Sequence, residues 1–428
     1  MTTNYKNANR NSFYNILGVA FPLLAALISI PYLNKNLSAD DFSMIFIAWA
    51  IIGYFSFFDF GVGRALTFSI SEINPSNRGL ISSYLISGFF VILLTSVFGS
   101  FMVFLFGKYA VGNWYDLNIK NIESSQLAIY ICAITVFPTT ITAGLRGALE
   151  GLNKYLYSNI NRTILGCGMF LAPLLAVEFY GASIVAIAYS LLIVRIVVML
   201  LAFFQIKKYL FIKPSQNIVK TIKKIFNYGI WVTLSGLVGP LLMYGDRFIL
   251  GGIVEFSDIG PYATIQELLL KLIVIPGAIS GALFYEFSAI KQNYESIKIM
   301  SQKYNLYIAI IMMIIIAMIA LIGKSVLTIW VSDDFAQSTY YILLIMSIGI
   351  FFNSISMVPH TILSATDNVK FIGILHLIET IIMIPILFYF ANQYGLIGAA
   401  CVWSGRTIID FIFLKSQSIR VLKNSKYI

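Results

Sequence analysis

Twelve stretches of this chain are long and apolar enough to cross a lipid bilayer, and no other feature constrains its fold as tightly. A spanning helix needs about 20 mostly apolar residues. Such runs cover residues 12–33, 42–66, 79–106, 125–148, 156–179, 182–206, 226–252, 259–288, 304–330, 337–364, 370–391 and 396–418. Inside hydrocarbon every backbone N–H and C=O has to be paired within the chain, and for runs of this length the helix does that. The sequence therefore predicts an all-α integral membrane protein of twelve transmembrane helices. Apolar residues make up 59% of the 428 residues and charged residues 11%. A soluble protein carries about 25% charged residues, so much of this surface has to face lipid.

The connections between runs are short. The longest polar stretches, Lys108–Ser124 and Lys207–Lys224, cannot hold a separate domain of about 50 residues. Any chemistry then takes place within the helix bundle. The basic stretch Lys207–Lys224 falls at the midpoint and separates two six-helix lobes, residues 1–212 and 213–428. Transporters are commonly built from two such halves around a shared substrate site. LSADDFSMIFIA after the first run and VEFSDIGPYATI after the seventh form a faint echo between the halves.

The net charge of +10 records orientation rather than a nucleic-acid surface, because the cations lie in loops between apolar runs. With the N-terminus inside, only Lys35, Lys108, Lys120 and Lys324 fall on the outer side; the other loop lysines and arginines fall in the cytoplasm. Both termini are expected there. The opening residues, MTTNYKNANRNSFYNI, lack a short apolar core followed by a cleavage site, so the first run is expected to remain as a helix.

Ionisable groups within a bilayer are costly and need a partner, a watery cavity or a role. Arg195 lies near the middle of the sixth run, Arg406 near the middle of the twelfth, Lys271 in the eighth and Arg247 in the outer part of the seventh. One reading is pairing along single helices: Glu267 with Lys271 and Asp410 with Arg406, each four residues apart. Arg195 has no carboxylate within a turn. The other reading is a cationic cavity that binds an anionic amphiphile, since the guanidinium fork can hold two phosphate oxygens at once. Arg195, Arg247, Lys271 and Arg406 are then the candidate substrate-binding residues. Glu267, Glu379 and Asp410 are the candidate carboxylates for ion coupling.

A second charged group, Asp59, Arg64, Arg146 and Glu150, falls near the cytoplasmic ends of the second and fourth runs. Gly61, Gly63, Gly147 and Gly151 permit close helix approach there. The group reads as an inner gate or as a salt-bridge network that fixes helix ends. Cys132, Cys167 and Cys401 lie inside apolar runs without metal-ligand or redox spacing, and His360 and His376 form no metal motif with a neighbouring cysteine or carboxylate. No metal and no cofactor is expected. There is no GxxxxGK[ST] segment, hence no ATPase of the chain's own.

FFDFGVGRALT, RGALEGLNKY, GDRFILG and the opening stretch FPLLAALISIPYLNKNLSADDFSMIFIAW resemble the O-antigen flippases. These form part of the polysaccharide-transport branch of the multidrug/oligosaccharidyl-lipid/polysaccharide exporter superfamily. The resemblance spans the chain in length and helix count. It implies two six-helix lobes forming a V around a central cationic cavity. It implies as cargo an undecaprenyl-pyrophosphate-linked oligosaccharide, an O-antigen repeat unit moved from the cytoplasmic to the periplasmic leaflet of the bacterial inner membrane by alternating access. The partners expected are that cargo, the lipid bilayer and the polysaccharide polymerase machinery, with no nucleic acid, and the chain is expected to be a monomer and not an enzyme. Two alternatives stay open: a cation-coupled multidrug antiporter of the same superfamily, for which Glu267, Glu379 and Asp410 would serve, and a membrane polysaccharide polymerase, which usually needs a larger periplasmic loop.

Overall fold

In a computed structural model of the protein, residues 20–54, 59–115, 122–290 and 293–424 are described. The start of the first apolar run, both chain ends, and the loop cations Lys6, Arg10, Lys120, Lys291 and Lys426 lie outside them. Every regular element among the described residues is helical. In chain order these are α1 (20–36), α2 (Ala39–Tyr54), α3 (Val62–Ser71), α4 (Arg78–Tyr109), α5 (Ile122–Gly151), α6 (Tyr155–Tyr180) and α7 (Ile184–Leu210). There follow α8 (Ile218–Leu250), α9 (Ile259–Leu270), α10 (Val274–Ala289), α11 (Tyr294–Trp330), α12 (Asp333–Ala365) and α13 (Val369–Asn424).

Among the described residues, eight segments are long and apolar enough by themselves to cross a membrane. The longest, Val369–Lys423, holds two spans. Gly395 folds one against the other at φ 57°, ψ −140°, a conformation essentially reserved for glycine. The chain is an all-α integral membrane protein, and each of the twelve apolar runs is helical over most of its described length.

Two runs that read as continuous are interrupted. The run 42–66 is divided between α2 and α3, with left-handed backbone at Phe60 (φ 47°) and Gly61 (φ 64°). The run 259–288 is divided between α9 and α10 by a tight 3₁₀ turn, Lys271–Ile273. Pro276 accounts for the second break: it lacks an N–H, and its ring crowds the carbonyl four residues earlier, so the turn ahead of it tightens. By contrast α5 and α6 run through Pro138 and Pro173. In α5 the hydroxyls of Thr135, Thr139, Thr140 and Thr142 each donate to the carbonyl four residues back at 2.7–2.9 Å, which satisfies them without partners from other helices.

Polar side chains set the helix starts. Ser38 Oγ accepts from Asp41 N at the entrance of α2, Asn77 caps α4 and Ser183 caps α7. The N-terminus of α11 is capped by Asn293 and that of α12 by Ser332. Each cap binds an N–H that has no partner within its helix.

The chain divides into two compact units, Met1–Pro240 and Leu241–Ile428. The stretch after residue 212, expected to open the second half, is strapped onto α4 in the first unit. Ser82 Oγ donates to Ile212 O, Ser83 Oγ accepts from Ser215 N and Gln216 N, and Lys224 Nζ donates to Tyr84 OH. In the first unit α3, α4, α5 and α7 enclose a core that includes Leu66, Leu85, Ile92, Leu145, Leu149 and Ala202. In the second, Tyr262, Phe287, Met312, Met346, Ile350 and Trp403 anchor a core shared by α9 to α13.

Candidate functional site

The second unit buries a charge network where α8 meets α9. Asp246 and Arg247 come from the end of α8; Tyr262, Gln266 and Glu267 come from α9; Lys271 opens the 3₁₀ turn. Arg247 Nε donates to Gln266 Oε1 at 2.7 Å and Arg247 Nη2 to Glu267 Oε1 at 3.1 Å. The Arg247 guanidinium also lies 4.9 Å above the Tyr244 ring. Lys271 Nζ donates to the other carboxylate oxygen of Glu267 at 3.1 Å. Asp246 accepts from Tyr262 OH at 2.7 Å and from Gln266 Nε2 at 2.9 Å. Two carboxylates thus balance two cations. Arg247 is fully buried and Lys271 about one-third exposed (34%). Arg247 therefore does not open onto water here, and Lys271 is the cation of this network with access to the surface. Sequence spacing identifies the Glu267–Lys271 pair. It misses Asp246, Tyr262 and Gln266 as members, although Tyr262 and Gln266 stand four apart on one face of α9.

Arg406 belongs to a different cluster, between α12 and the two halves of α13. It pairs with Glu379, Nη1 to Oε2 at 3.5 Å, and not with Asp410 one turn along its own helix. Asp410 Oδ1 lies instead 3.2 Å from His376 Nε2. Contrary to the expectation that His376 forms no metal motif with a neighbouring carboxylate, it groups with Glu379 and Asp410. Glu379 is on the same helix face three residues on, and the reversal at Gly395 brings Asp410 back beside both. The signal was the His-x-x-Glu spacing at 376–379.

Arg195 lies in the first unit, on the α7 stripe that carries the buried Leu191, Val198 and Ala202. That stripe turns it toward protein, and it is half-buried. Among the described residues no carboxylate pairs with it. Arg247, Lys271 and Arg406 belong to the second unit.

Asp59, Arg64, Arg146 and Glu150 come together where α3 meets α5. Asp59 Oδ1 accepts from Gly61 N at 3.0 Å, and Arg146 and Arg64 are the cations that act on its carboxylate. Arg146 Nε stands 3.8 Å from Glu150 Oε1, and Ser158 Oγ donates to that same oxygen. Arg64 is exposed. The glycines bring the two backbones into contact, and Thr67 Oγ1 bridges them by donating to Gly63 O and Gly147 O. A Cβ at Gly147 would stand 2.0 Å from Gly63 O, a backbone atom that cannot turn aside. Gly147→Ala is therefore expected to cost at least the usual overpacking penalty of about 1–3 kcal/mol. The loss will appear as a lower melting temperature and a lower yield of purified protein, whereas Gly239→Ala, with open space at its Cβ, is expected to have little steric effect. Equal yields and melting temperatures for the two variants would show that the α3–α5 contact is not tight.

Residues 8–291 match the family model of the polysaccharide biosynthesis proteins. A Shigella flexneri protein named "Putative O-antigen transporter" is 31% identical over 409 residues, covering 95% of this chain and 96% of its own. Among solved structures, the inward-facing conformation of a multidrug resistance MATE family transporter of the MOP superfamily superposes with a TM-score of 0.81 at 13% identity, covering 96% of this chain and 98% of that one. The lipid II flippase MurJ in an inward closed conformation superposes with a TM-score of 0.72 at 16% identity, covering 97% and 90%. At such identities these structures share the fold.

Proposed function

The chain belongs to the polysaccharide biosynthesis protein family, and on that premise we propose that it is a flippase for a lipid-linked oligosaccharide. The cargo is an undecaprenyl-pyrophosphate-linked O-antigen repeat unit, carried from the cytoplasmic to the periplasmic leaflet by alternating access. The single observation that carries this reading is the end-to-end match to the O-antigen transporter relative. The fold shared with a lipid II flippase agrees with it. The chain is a transporter and not an enzyme; it delivers its cargo to the polysaccharide polymerase machinery and works as a monomer in the inner membrane.

The chemistry of the spans supports the assignment. The cargo's head carries negative charge on phosphate, and Arg195, Arg247, Lys271 and Arg406 are the cations at membrane depth. Interrupted spans at corresponding positions of two halves mark substrate sites in transporters. Here the second span of the first half is interrupted beside Asp59 and the second span of the other half at Lys271. Asp59, Arg64, Arg146 and Glu150 act as an inner gate on the first of these breaks. Charge reversal at Arg64, which is exposed and forms no ion pair among the described residues, is expected to reduce transport several-fold at matched protein level. Parallel loss of protein and transport would assign the cluster to folding.

Deletion of the gene tests the proposal as a whole. Undecaprenyl-linked repeat units are expected to accumulate on the cytoplasmic leaflet, unavailable to an enzyme or probe added outside. Their appearance on the periplasmic leaflet at the normal rate would refute the reading. Topology is a separate expectation: reporters fused at Asn217 and Asn424 will both read as cytoplasmic, and a periplasmic signal at either would overturn the orientation.

A further inference from the structure

The cluster around His376 contains more unsatisfied chemistry than a pair of salt bridges would leave. Glu379 and Asp410 are both more than nine-tenths buried. Glu379 Oε1 and Asp410 Oδ1 are buried without a hydrogen-bond partner, and so is Arg406 Nε. The His376–Asp410 approach of 3.2 Å lacks the alignment of a hydrogen bond. The Arg406–Glu379 contact, at 3.5 Å, is at the limit of one. Unpaired buried polar atoms cost about 1–3 kcal/mol each. Three such atoms together on facing helices mark a place built for something else.

One ligand atom each from His376, Glu379 and Asp410 lie within 4.8 Å of one another. Two ligands each about 2.1 Å from one ion are roughly 3.4 Å apart at a tetrahedral angle, so the set closes by a side-chain movement of at most about 1.4 Å. Beside it the His360 ring lies nearly parallel to that of His376, 6.3 Å between centroids and 15° between planes. We infer that His376, Glu379 and Asp410 form a binding site for a transition-type divalent cation, with Arg406 as the internal competitor that occupies Glu379 when the cation is absent.

The donor set selects the class. One imidazole nitrogen with two carboxylate oxygens suits Mn²⁺, Fe²⁺, Co²⁺ or Zn²⁺, whereas Na⁺, Mg²⁺ and Ca²⁺ prefer oxygen alone. Without an ion, the carboxyl groups of Glu379 and Asp410 face the guanidinium of Arg406 and the imidazole of His376. A divalent cation held by Glu379 competes with Arg406 for that carboxylate and repels the guanidinium, so binding weakens the Arg406–Glu379 pair. A groove of about 540 Å³ with apolar walls counts Glu379 and Arg406 among its lining residues. The inference concerns binding and stands apart from the transport reading; a cation held here need not be carried.

The test uses the full chain purified in detergent, stripped with a chelator and titrated with Mn²⁺ followed by electron paramagnetic resonance, and with Zn²⁺ by competition. One ion per chain is expected. His376→Gln and Asp410→Asn are each expected to weaken it by at least about tenfold. Arg406→Gln is expected to tighten it by about tenfold, an effect that a merely structural arginine would not produce. Melting temperatures without metal identify any variant that fails to fold, and the affinity gain in Arg406→Gln keeps the test decisive if Asp410→Asn is such a variant. Absence of stoichiometric binding, undiminished binding in His376→Gln, or displacement of Mn²⁺ by Na⁺ at comparable concentration would each overturn the inference.

Discussion

Arg195→Ala is expected to abolish surface polysaccharide export at unchanged protein level, and Arg195→Lys to restore only part of it. An arginine at the centre of a span costs about 2.5–3.5 kcal/mol on insertion scales. Its own helix offers no carboxylate within a turn, and among the described residues none pairs with it from elsewhere. Removing it therefore leaves no partner stranded, and the protein is expected to be at least as stable without it. A residue retained for structure would give the opposite sign. Lysine keeps the charge but loses the planar fork that engages two phosphate oxygens. Lys271→Ala and Arg406→Ala are expected to be milder, since Glu267 and Glu379 already share those charges. The measurement is surface polysaccharide in a deletion strain complemented with each variant at matched level. Normal export by Arg195→Ala would remove the phosphate-site assignment while leaving the flippase reading in place. Loss of protein in step with export would make Arg195 structural.

The spans were legible because bilayer insertion depends on summed apolarity over about 20 residues, which sequence reports directly. The breaks within them were less so. Hydropathy is blind to dihedral angles, and Phe60 and Gly61 interrupt a run whose composition continues unchanged. The turn at Lys271–Ile273 did have a signal, Pro276, whose effect falls on the residues ahead of it. Pairing was legible only where it is local. Glu267 and Lys271 meet as their spacing allows, but Arg406 and Asp410 do not. A four-residue spacing permits a contact, and the reversal at Gly395 offers Arg406 a second carboxylate, Glu379, on a facing helix. Gln266 and Glu267 reach Arg247 across 19 and 20 residues, through the packing of α9 on α8. Nothing in the local pattern of either segment states that packing.

The same network sets the largest expected loss of stability. Glu267→Gln keeps the side chain's shape and removes its charge, and with it the carboxylate that Arg247 and Lys271 share. Lys271 can turn toward the surface, where a third of its side chain already lies. Arg247 is fully buried and cannot. It keeps Gln266 Oε1, the face of Tyr244 and the neighbouring Asp246 carboxylate, but the oxygens of Asp246 already accept from Tyr262, Gln266 and the Arg247 backbone N–H. Breaking a buried ion pair from one side typically costs about 3–5 kcal/mol, and Glu267→Gln is expected to fall in that range. Arg247→Gln is expected to cost less, because Glu267 retains Lys271. Combining the two removes the stranded cation, so the double variant is expected to melt above Glu267→Gln alone. Thermal unfolding of the three purified variants in one detergent tests this. If Glu267→Gln melts with the parent chain, the network carries no net stability. If the double variant loses the sum of both single losses, the two residues act independently, and the contact between Arg247 and Glu267 is not what secures α8 to α9.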